Sequence, residues 1–220
     1  SYIRFNHSTL GHKMADFFRP KNYAMKINPT LKYAWINIPK NASSFIQKVL
    51  DDNSWVDVPE DLIVPIAESP NIEKLVILRD PIKRWISGLA QCMSERDISI
   101  DLLDDNDFIQ TIFLNPVFDD HTEYQHRFIG NATNLKYIYM QNDNPQKFYR
   151  LLASWIKSTN GIADCDNYTE PVNPASNNKD KLAIHNKLDE MFSKNVSLLR
   201  LHKRDYNILD QHTKYKGSQI

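Results

Sequence analysis

A lysine and several small or polar residues follow an apolar run at 33–38 of this 220-residue chain. The turn after that run contains Pro39, Lys40, Asn41, Ala42, Ser43 and Ser44, and a helical pattern follows it. The first N–H groups of a helix have no partner within the helix and lie at the positive end of its dipole, so they attract anions. Lys40 adds a full positive charge beside them. The stretch therefore predicts a strand–turn–helix element that binds a phosphate or a sulfate.

A second element of the same kind begins at the apolar run that ends in Arg79. Asp80 is a favoured N-cap residue and Pro81 suits the first turn of a helix, which leaves Arg79 at the end of the preceding strand. Arg84 and Ser87 are three residues apart and share one face of the predicted helix. An arginine and a hydroxyl at the end of a strand again favour phosphate binding.

The elements that position these residues alternate between strands and helices. The patterns predict strands at 33–38, 54–58, 75–79 and 136–140, and helices at 43–52, 81–95, 105–114, 144–158, 181–194 and 203–212. A connection at 21–32 precedes the first strand. This order predicts an α/β fold with three layers, α/β/α, around a central parallel sheet, and with a P-loop-like strand–loop–helix. Both anion sites then lie at the carboxyl edge of the sheet, where a ligand with two phosphate groups fits.

Four motifs resemble those of sulfotransferases that use 3′-phosphoadenosine 5′-phosphosulfate (PAPS), and most closely the carbohydrate O-sulfotransferases. The turn from Pro39 resembles their 5′-phosphosulfate loop, and Arg79-Asp-Pro-x-x-Arg-x-x-Ser87 resembles their 3′-phosphate motif. His121-Thr-Glu-Tyr-Gln125 and the stretch at 198–209 are similar to two further family elements. The resemblance covers most of 33–210.

The resemblance implies a role for each junction. The 5′-phosphosulfate would be bound by the first loop, which consists of Pro39, Lys40, Asn41, Ala42, Ser43 and Ser44. Lys40 would stabilise the leaving phosphate, and Arg79 and Ser87 would bind the 3′-phosphate. Arg84 would join them or brace Asp80 or a neighbouring loop. The structural alternatives are a surface lysine before an ordinary helix start and a structural Arg–Asp pair.

The acceptor hydroxyl needs a base, and the resemblance points to His121. A lone histidine is often structural, so Glu123 and Glu68 stay open as alternative bases. By position, the polar loop from Asp164 to Lys179 would close over the nucleotide with Asn173 and Ser176.

These assignments predict an enzyme that transfers a sulfuryl group in line from PAPS to a hydroxyl of a carbohydrate or a small metabolite, with no metal. One alternative is a sulfotransferase-like nucleotide-binding module without turnover. A P-loop kinase-like phosphotransferase is less favoured, because its lysine ends the loop whereas Lys40 begins it.

Length and composition predict one domain at 1–220, with a short helical extension at 7–19 and a frayed tail from Lys214. The formal net charge is zero, which argues against a nucleic-acid partner. No apolar run reaches the roughly 20 residues of a membrane helix, so we expect no membrane association. The sequence leaves the oligomeric state open.

Two further patterns bear on compartment and acceptor. Five Asn-x-Ser/Thr triplets include the one at Asn41, where a glycan would block the first loop, so we expect a cytoplasmic protein of bacterial or viral origin. Between Glu95 and Glu123 there are nine acidic residues and one basic residue. If this segment borders the acceptor, it predicts a neutral or cationic acceptor; the alternative is a solvated helix face.

Overall fold

The computed structural model describes residues 24–141, 143–160 and 178–213. The helix predicted at 7–19, nearly all of the predicted nucleotide loop and the predicted C-terminal tail lie outside these ranges. Asn173 and Ser176, the two predicted nucleotide contacts of that loop, lie outside them as well.

Five strands within the described residues form one mixed sheet in the order β3-β1-β2-β4-β5. They are β1 (Met25–Ile27), β2 (Tyr33–Ile36), β3 (Val56–Asp57), β4 (Glu73–Arg79) and β5 (Leu135–Met140). β2, β4 and β5 are parallel, and Ile36 lies opposite Val76 and Arg79 opposite Met140. β1 is antiparallel to both β2 and β3. The predicted α/β class is confirmed, but the sheet is mixed rather than parallel throughout.

The mixed character of the sheet comes from two short strands. β1 lies in the segment at 21–32 that was predicted as a connection. Asn28 shapes its hairpin with β2, because its side-chain oxygen accepts hydrogen bonds from the N–H groups of Lys32 and Tyr33 at 3.1 and 3.2 Å. The strand predicted at 54–58 has two residues and pairs with β1. Strands this short show too little alternation to reveal their pairing.

The described ranges contain nine α-helices. They are α1 (Ser43–Asp52), α2 (Glu60–Glu68), α3 (Pro81–Glu95), α4 (Asn106–Leu114), α5 (Gln125–Ile129), α6 (Pro145–Asn160), α7 (Lys179–Phe192), α8 (Val196–Leu201) and α9 (Lys203–Thr213). The predicted bounds of α1 and α3 are confirmed, and α4, α6, α7 and α9 differ from prediction by no more than two residues at an end. The sequence analysis missed α2, α5 and α8.

Alternate residues of β4 enter two separate hydrophobic clusters. Leu75 and Ile77 pack with the buried side chains of α1 and α6, whereas Val76 and Leu78 pack with those of α3, α7 and α9. Side chains of a strand alternate between the two faces of its sheet, so the clusters lie on opposite faces. The parallel strands that carry the predicted anion ligands are therefore buried on both sides.

Helix α7 packs along α3 in the antiparallel sense. The ring of Phe192 lies 5.7 Å from that of Trp85 near the start of α3, and Asn178 donates a 3.4 Å hydrogen bond to the Ser94 hydroxyl near its end. The first turns of α7 therefore pass the second half of α3. Among the described helices, none combines the length and the apolar character that a membrane span requires.

Candidate functional site

The loop between β2 and α1 takes a conformation that is unusual for its residue types. Lys40 and Ala42 have φ values of 70° and 59°, although neither is glycine. Each such residue costs about 1–3 kcal/mol of strain, which the surrounding structure must outweigh. Left-handed Ala42 precedes helical Ser43, an alternation that turns successive N–H groups toward one side. Within the described part of the chain, the N–H groups of Ala42, Ser43 and Ser44 contact no hydrogen-bond acceptor.

Two predicted ligand residues of this loop use their side chains to build it. The buried Asn41 amide donates to the Ile77 carbonyl at 2.8 Å and to Gln125 Oε1 at 2.7 Å. The Ser43 hydroxyl lies 2.6 Å from Asn37 Oδ1, to which it donates. A ligand would therefore meet the backbone N–H of Ser43, whereas Asn41 supports the loop.

Gln125 joins the two predicted anion-binding junctions. Its Oε1 accepts from Asn41 and from the backbone N–H of Arg79 at 3.1 Å, and its Nε2 donates to the Arg79 carbonyl at 2.9 Å. The Arg79 guanidinium donates to the Lys40 carbonyl at 3.0 Å. Burial lowers the pKa of Arg79. Gln125, the glutamine of the predicted His-x-x-x-Gln element, therefore has a structural role, because it links the loop at Asn41 to the end of β4 at Arg79.

The start of α3 is built as the sequence predicted. Asp80 caps the helix by accepting a 2.9 Å hydrogen bond from the Lys83 N–H, and Pro81 occupies the first turn. The Tyr206 hydroxyl donates to the same carboxylate at 3.1 Å. This cap fixes the start of α3 and thereby the position of Arg79 at the end of β4.

Arg84 connects the first loop with the segment around His121. Its Nε donates to the Pro39 carbonyl at 2.8 Å, its Nη2 donates to the Asp120 carbonyl at 3.1 Å, and its Nη1 donates to the Glu123 carbonyl. Burial lowers the pKa of Arg84 to about 10. Of the roles left open for Arg84, the structure supports that of a brace between neighbouring loops.

The backbone of His121 lies directly against α3 at Gly88. A Cβ on Gly88 would lie 2.6 Å from the carbonyl carbon of His121 and still closer to its oxygen. The His121 N–H donates to Asp119 Oδ1 at 2.9 Å, and its ring Nδ1 lies 3.5 Å from Asp119 Oδ2. Ser87 precedes this contact and is half-buried, and no hydrogen bond of its hydroxyl joins it to the rest of the described chain.

The two alternative bases, Glu68 and Glu123, are either far from Lys40 or engaged in other contacts. Glu68 ends α2, where its carbonyl accepts from Thr133 just before β5. That is the amino edge of the parallel strands, roughly 20 Å from the carboxyl edge that carries Lys40. Glu123 accepts from the Tyr124 N–H and lies 3.9 Å from the Arg127 guanidinium. His121 is the candidate base that the fold brings toward Lys40.

Gln91 is a site residue that the sequence analysis missed. Its Oε1 accepts a 2.7 Å hydrogen bond from Lys40 Nζ, and its Nε2 lies 3.5 Å from His121 Nε2. The same Nε2 donates to Glu95 Oε1 at 2.6 Å. The available signal was helical spacing, because Gln91 follows Ser87 by one turn on the face that carries Arg84.

Positive charge accumulates around Lys40. Burial and, to a lesser degree, the nearby cations Lys181 and Arg79 together lower the pKa of Lys40 to about 8, while Glu95 opposes them. Within the described residues, no carboxylate lies within 4 Å of its ammonium group. His185, one turn after Lys181 on α7, has a pKa lowered by burial and by the charges of Arg79 and Lys40. The cluster of Lys40, Arg79, Lys181 and His185 is suited to bind an anion.

A cavity among the described residues lies away from this cluster. It is a groove of about 400 Å³ between β5 and α6, and Tyr137, Trp155 and His212 are among its lining residues. None of the predicted ligand residues lines it. We assign the candidate site to the carboxyl edge of β2 and β4, because the groups with specific chemistry converge there.

Comparisons of the chain with protein-family models, with curated proteins and with solved structures find no match.

Proposed function

We propose that the protein is a PAPS-dependent O-sulfotransferase that transfers a sulfuryl group to a hydroxyl of a carbohydrate or a small metabolite. One observation carries the proposal. Lys40 is a partly buried cation without a carboxylate partner in the described residues, and its loop also carries the N–H groups at the start of α1 that contact no acceptor. Such a site lacks negative charge, which a phosphosulfate would supply.

The two junctions suggest how PAPS would be oriented. The 5′-phosphosulfate would lie against the N–H groups of Ala42, Ser43 and Ser44, with Lys40 above it. The 3′-phosphate would bind Arg79 and Ser87, and Lys181 adds positive charge near Lys40. In this proposal the fold is a three-layer α/β/α arrangement in which the loop at 39–44 acts as a P-loop-like element. Asn173 and Ser176 would complete the nucleotide contacts.

The protein must do two things in this reaction: place positive charge at the leaving phosphate and remove one proton from the acceptor hydroxyl. PAPS supplies an activated sulfuryl group, whose bond to the phosphate oxygen breaks as its bond to the acceptor oxygen forms. Lys40 stabilises the charge that develops on the leaving phosphate. His121 accepts the proton of the acceptor hydroxyl. The hydrogen bonds of Gln125 and Arg84 hold the loops that carry Lys40 and His121 in place. They thereby position the two residues for the reaction.

Two other functions compete with this one. A sulfotransferase-like module that binds the nucleotide without turnover would share every feature around Lys40. A kinase-like phosphotransferase is less favoured, because Lys40 stands at the beginning of the loop rather than at its end and the loop contains no glycine.

Calorimetry with 3′-phosphoadenosine 5′-phosphate (PAP) and with ATP tests the cofactor class. We expect PAP to bind at least tenfold more tightly than ATP, because only PAP carries a 3′-phosphate for Arg79 and Ser87. Arg79→Ala should remove most of this preference, while Arg150→Ala, an exposed arginine of α6, serves as the matched control. Equal or tighter binding of ATP would reject the proposal. Formation of PAP from PAPS in the presence of acceptor hydroxyls then separates the enzyme from the non-catalytic module.

A further inference from the structure

Gln91 links the two residues to which the proposed function assigns charge stabilisation and proton removal. Its carboxamide lies between Lys40 Nζ, at 2.7 Å from Oε1, and His121 Nε2, at 3.5 Å from Nε2. Glu95, one turn further along α3, lies 2.6 Å from the same Nε2. One side chain therefore contacts an ammonium group, a carboxylate and an imidazole.

The chemistry of two of these partners fixes the orientation of the amide. A lysine ammonium group can only donate hydrogen bonds, so the oxygen of Gln91 must face Lys40. An ionised carboxylate can only accept, so the NH₂ group must face Glu95. Both requirements agree with the observed contacts, and a flipped amide would satisfy neither.

This orientation determines which nitrogen of His121 is protonated. One hydrogen of the Gln91 NH₂ group is used by Glu95, which leaves the other for His121 Nε2 at 3.5 Å. Only an unprotonated ring nitrogen accepts that hydrogen, so in the neutral imidazole the proton resides on Nδ1. Asp119 Oδ2 lies 3.5 Å from Nδ1 and favours a proton there.

We propose that Gln91 is a positioning residue that holds His121 as the tautomer protonated on Nδ1, which leaves Nε2 basic on the side of Lys40. Gly88 and Asp119 fix the backbone of His121, and Gln91 fixes its ring. The significance of this tautomer for catalysis rests on the proposed function, whereas the tautomer itself does not.

Nitrogen NMR of the ligand-free full chain with labelled histidine tests the tautomer directly. At a pH where the ring of His121 is neutral, we expect a protonated Nδ1 and an unprotonated Nε2. A free histidine side chain in water prefers the opposite tautomer, so the expected result differs from the default. A protonated Nε2 in the neutral ring would overturn the proposal.

Substitutions of Gln91 separate its contact with Lys40 from its contact with His121. Gln91→Glu keeps an acceptor for Lys40 but replaces the donor to His121 by an acceptor, so the tautomer should invert. Gln91→Met removes both contacts, and the populations should move toward the default tautomer. Gln110→Met, an exposed glutamine on α4, is the matched control and should leave the His121 signals unchanged. An unchanged tautomer in the folded Gln91→Glu protein would reject the proposed role.

Turnover measurements connect the tautomer to function. We expect Gln91→Met to lower kcat at least tenfold and to shift its pH profile, because a misdirected base cannot take the acceptor proton. A normal kcat in Gln91→Met together with a changed tautomer would contradict the positioning role. Absence of PAP binding by the unsubstituted protein would instead reject the proposed function and leave the NMR result unaffected.

Discussion

At the scale of single residues, the lowered pKa of Lys40 makes anion binding depend on pH. Lys40 is charged below a pH of about 8 in the free protein, and burial and neighbouring cations are the cause. A bound phosphate favours the charged form and so raises this pKa in the complex. Affinity for PAP should therefore be full at pH 7 and fall about tenfold between pH 7 and pH 9. Calorimetry across this range measures the effect.

Lys40→Arg supplies the control for this prediction. Arginine stays protonated throughout the range, so its complex should lose little affinity between pH 7 and pH 9. The phosphates of PAP are fully ionised above pH 7.5 and contribute no slope there. The same pH slope in both proteins would show that another group titrates.

Substitution of His121 tests the assignment of the base. His121→Ala should lower turnover by about 10²-fold or more while PAP affinity stays within a factor of about three, because the base acts on the acceptor and not on the nucleotide. Glu123→Gln is the matched comparison, since Glu123 is the alternative base that remains once Glu68 is placed at the far edge of the sheet. A near-normal rate in His121→Ala with a large loss in Glu123→Gln would transfer the role to Glu123.

At the scale of secondary structure, the contact between α3 and the His121 segment depends on a glycine. Replacement of a helical glycine by alanine ordinarily stabilises a helix by about 1 kcal/mol. At Gly88 the added methyl group would overlap the His121 carbonyl group, so Gly88→Ala should instead lower the free energy of unfolding by about 1–3 kcal/mol. Urea titration decides the sign.

A matched pair strengthens this test. Ser87→Ala changes the neighbouring residue of α3 without adding an atom near His121, so its stability should change by less than about 0.5 kcal/mol. A Gly88→Ala protein that is more stable than the unsubstituted chain would show that the His121 segment can move away from α3 with little loss of free energy.

Sequence patterns predicted those helices and strands whose residues, read a few at a time along the chain, are typical of one structure. The dipeptide Asp80-Pro81 marks the start of α3, and the structure has the predicted bounds there. β1 gave no such signal, because three residues show too little alternation, and its pairing depends on the Asn28 turn. Gln91 was missed because its partners Lys40 and His121 are distant in sequence and meet only through packing.

The two residues that α7 brings to the site were missed for the same reason. Lys181 and His185 form an ordinary i,i+4 pair on a polar helix. They approach Lys40 and Arg79 only because α7 packs antiparallel to α3, which no local pattern specifies. The sequence therefore predicted the loops that hold the candidate site, but not the helix that adds charge to it.

At the scale of the whole molecule, the acidic segment at 95–123 divides into two parts. The acidic residues at 101–107 are solvent-exposed. Among them, Asp105 caps α4, and Asp104 forms an ion pair of 2.8 Å with Lys187. Asp119 and Asp120 are instead half-buried and adjoin His121, whereas the Glu123 carboxylate contacts Tyr124 and Arg127. The solvated alternative thus holds for the first part, and the second part adjoins the candidate base.

Carboxylates beside the base should select the acceptor. We predict faster sulfation of neutral or cationic hydroxyl compounds than of polymers that carry uronic acids or sulfates, since like charges repel at the mouth of the site. An acceptor screen at low and moderate salt measures the preference, which added salt should weaken. Asp120→Asn should raise the rate with a polyanionic acceptor, whereas Asp101→Asn should not. A faster rate with polyanions than with neutral sugars in the unsubstituted protein would contradict the prediction.

Asp205 makes the candidate site depend on a residue far along the chain. Its carboxylate accepts the N–H groups of Gln125 and His126 at 2.8 and 2.9 Å and so caps α5. Burial alone would raise the pKa of Asp205, but the contact with His126 Nδ1 at 2.7 Å and these backbone hydrogen bonds outweigh burial and lower it. A ribosome releases residue 205 some 80 positions after Gln125. During synthesis, therefore, the loops at Lys40 and Arg79 leave the ribosome long before Asp205 can cap α5, whose Gln125 holds these loops together.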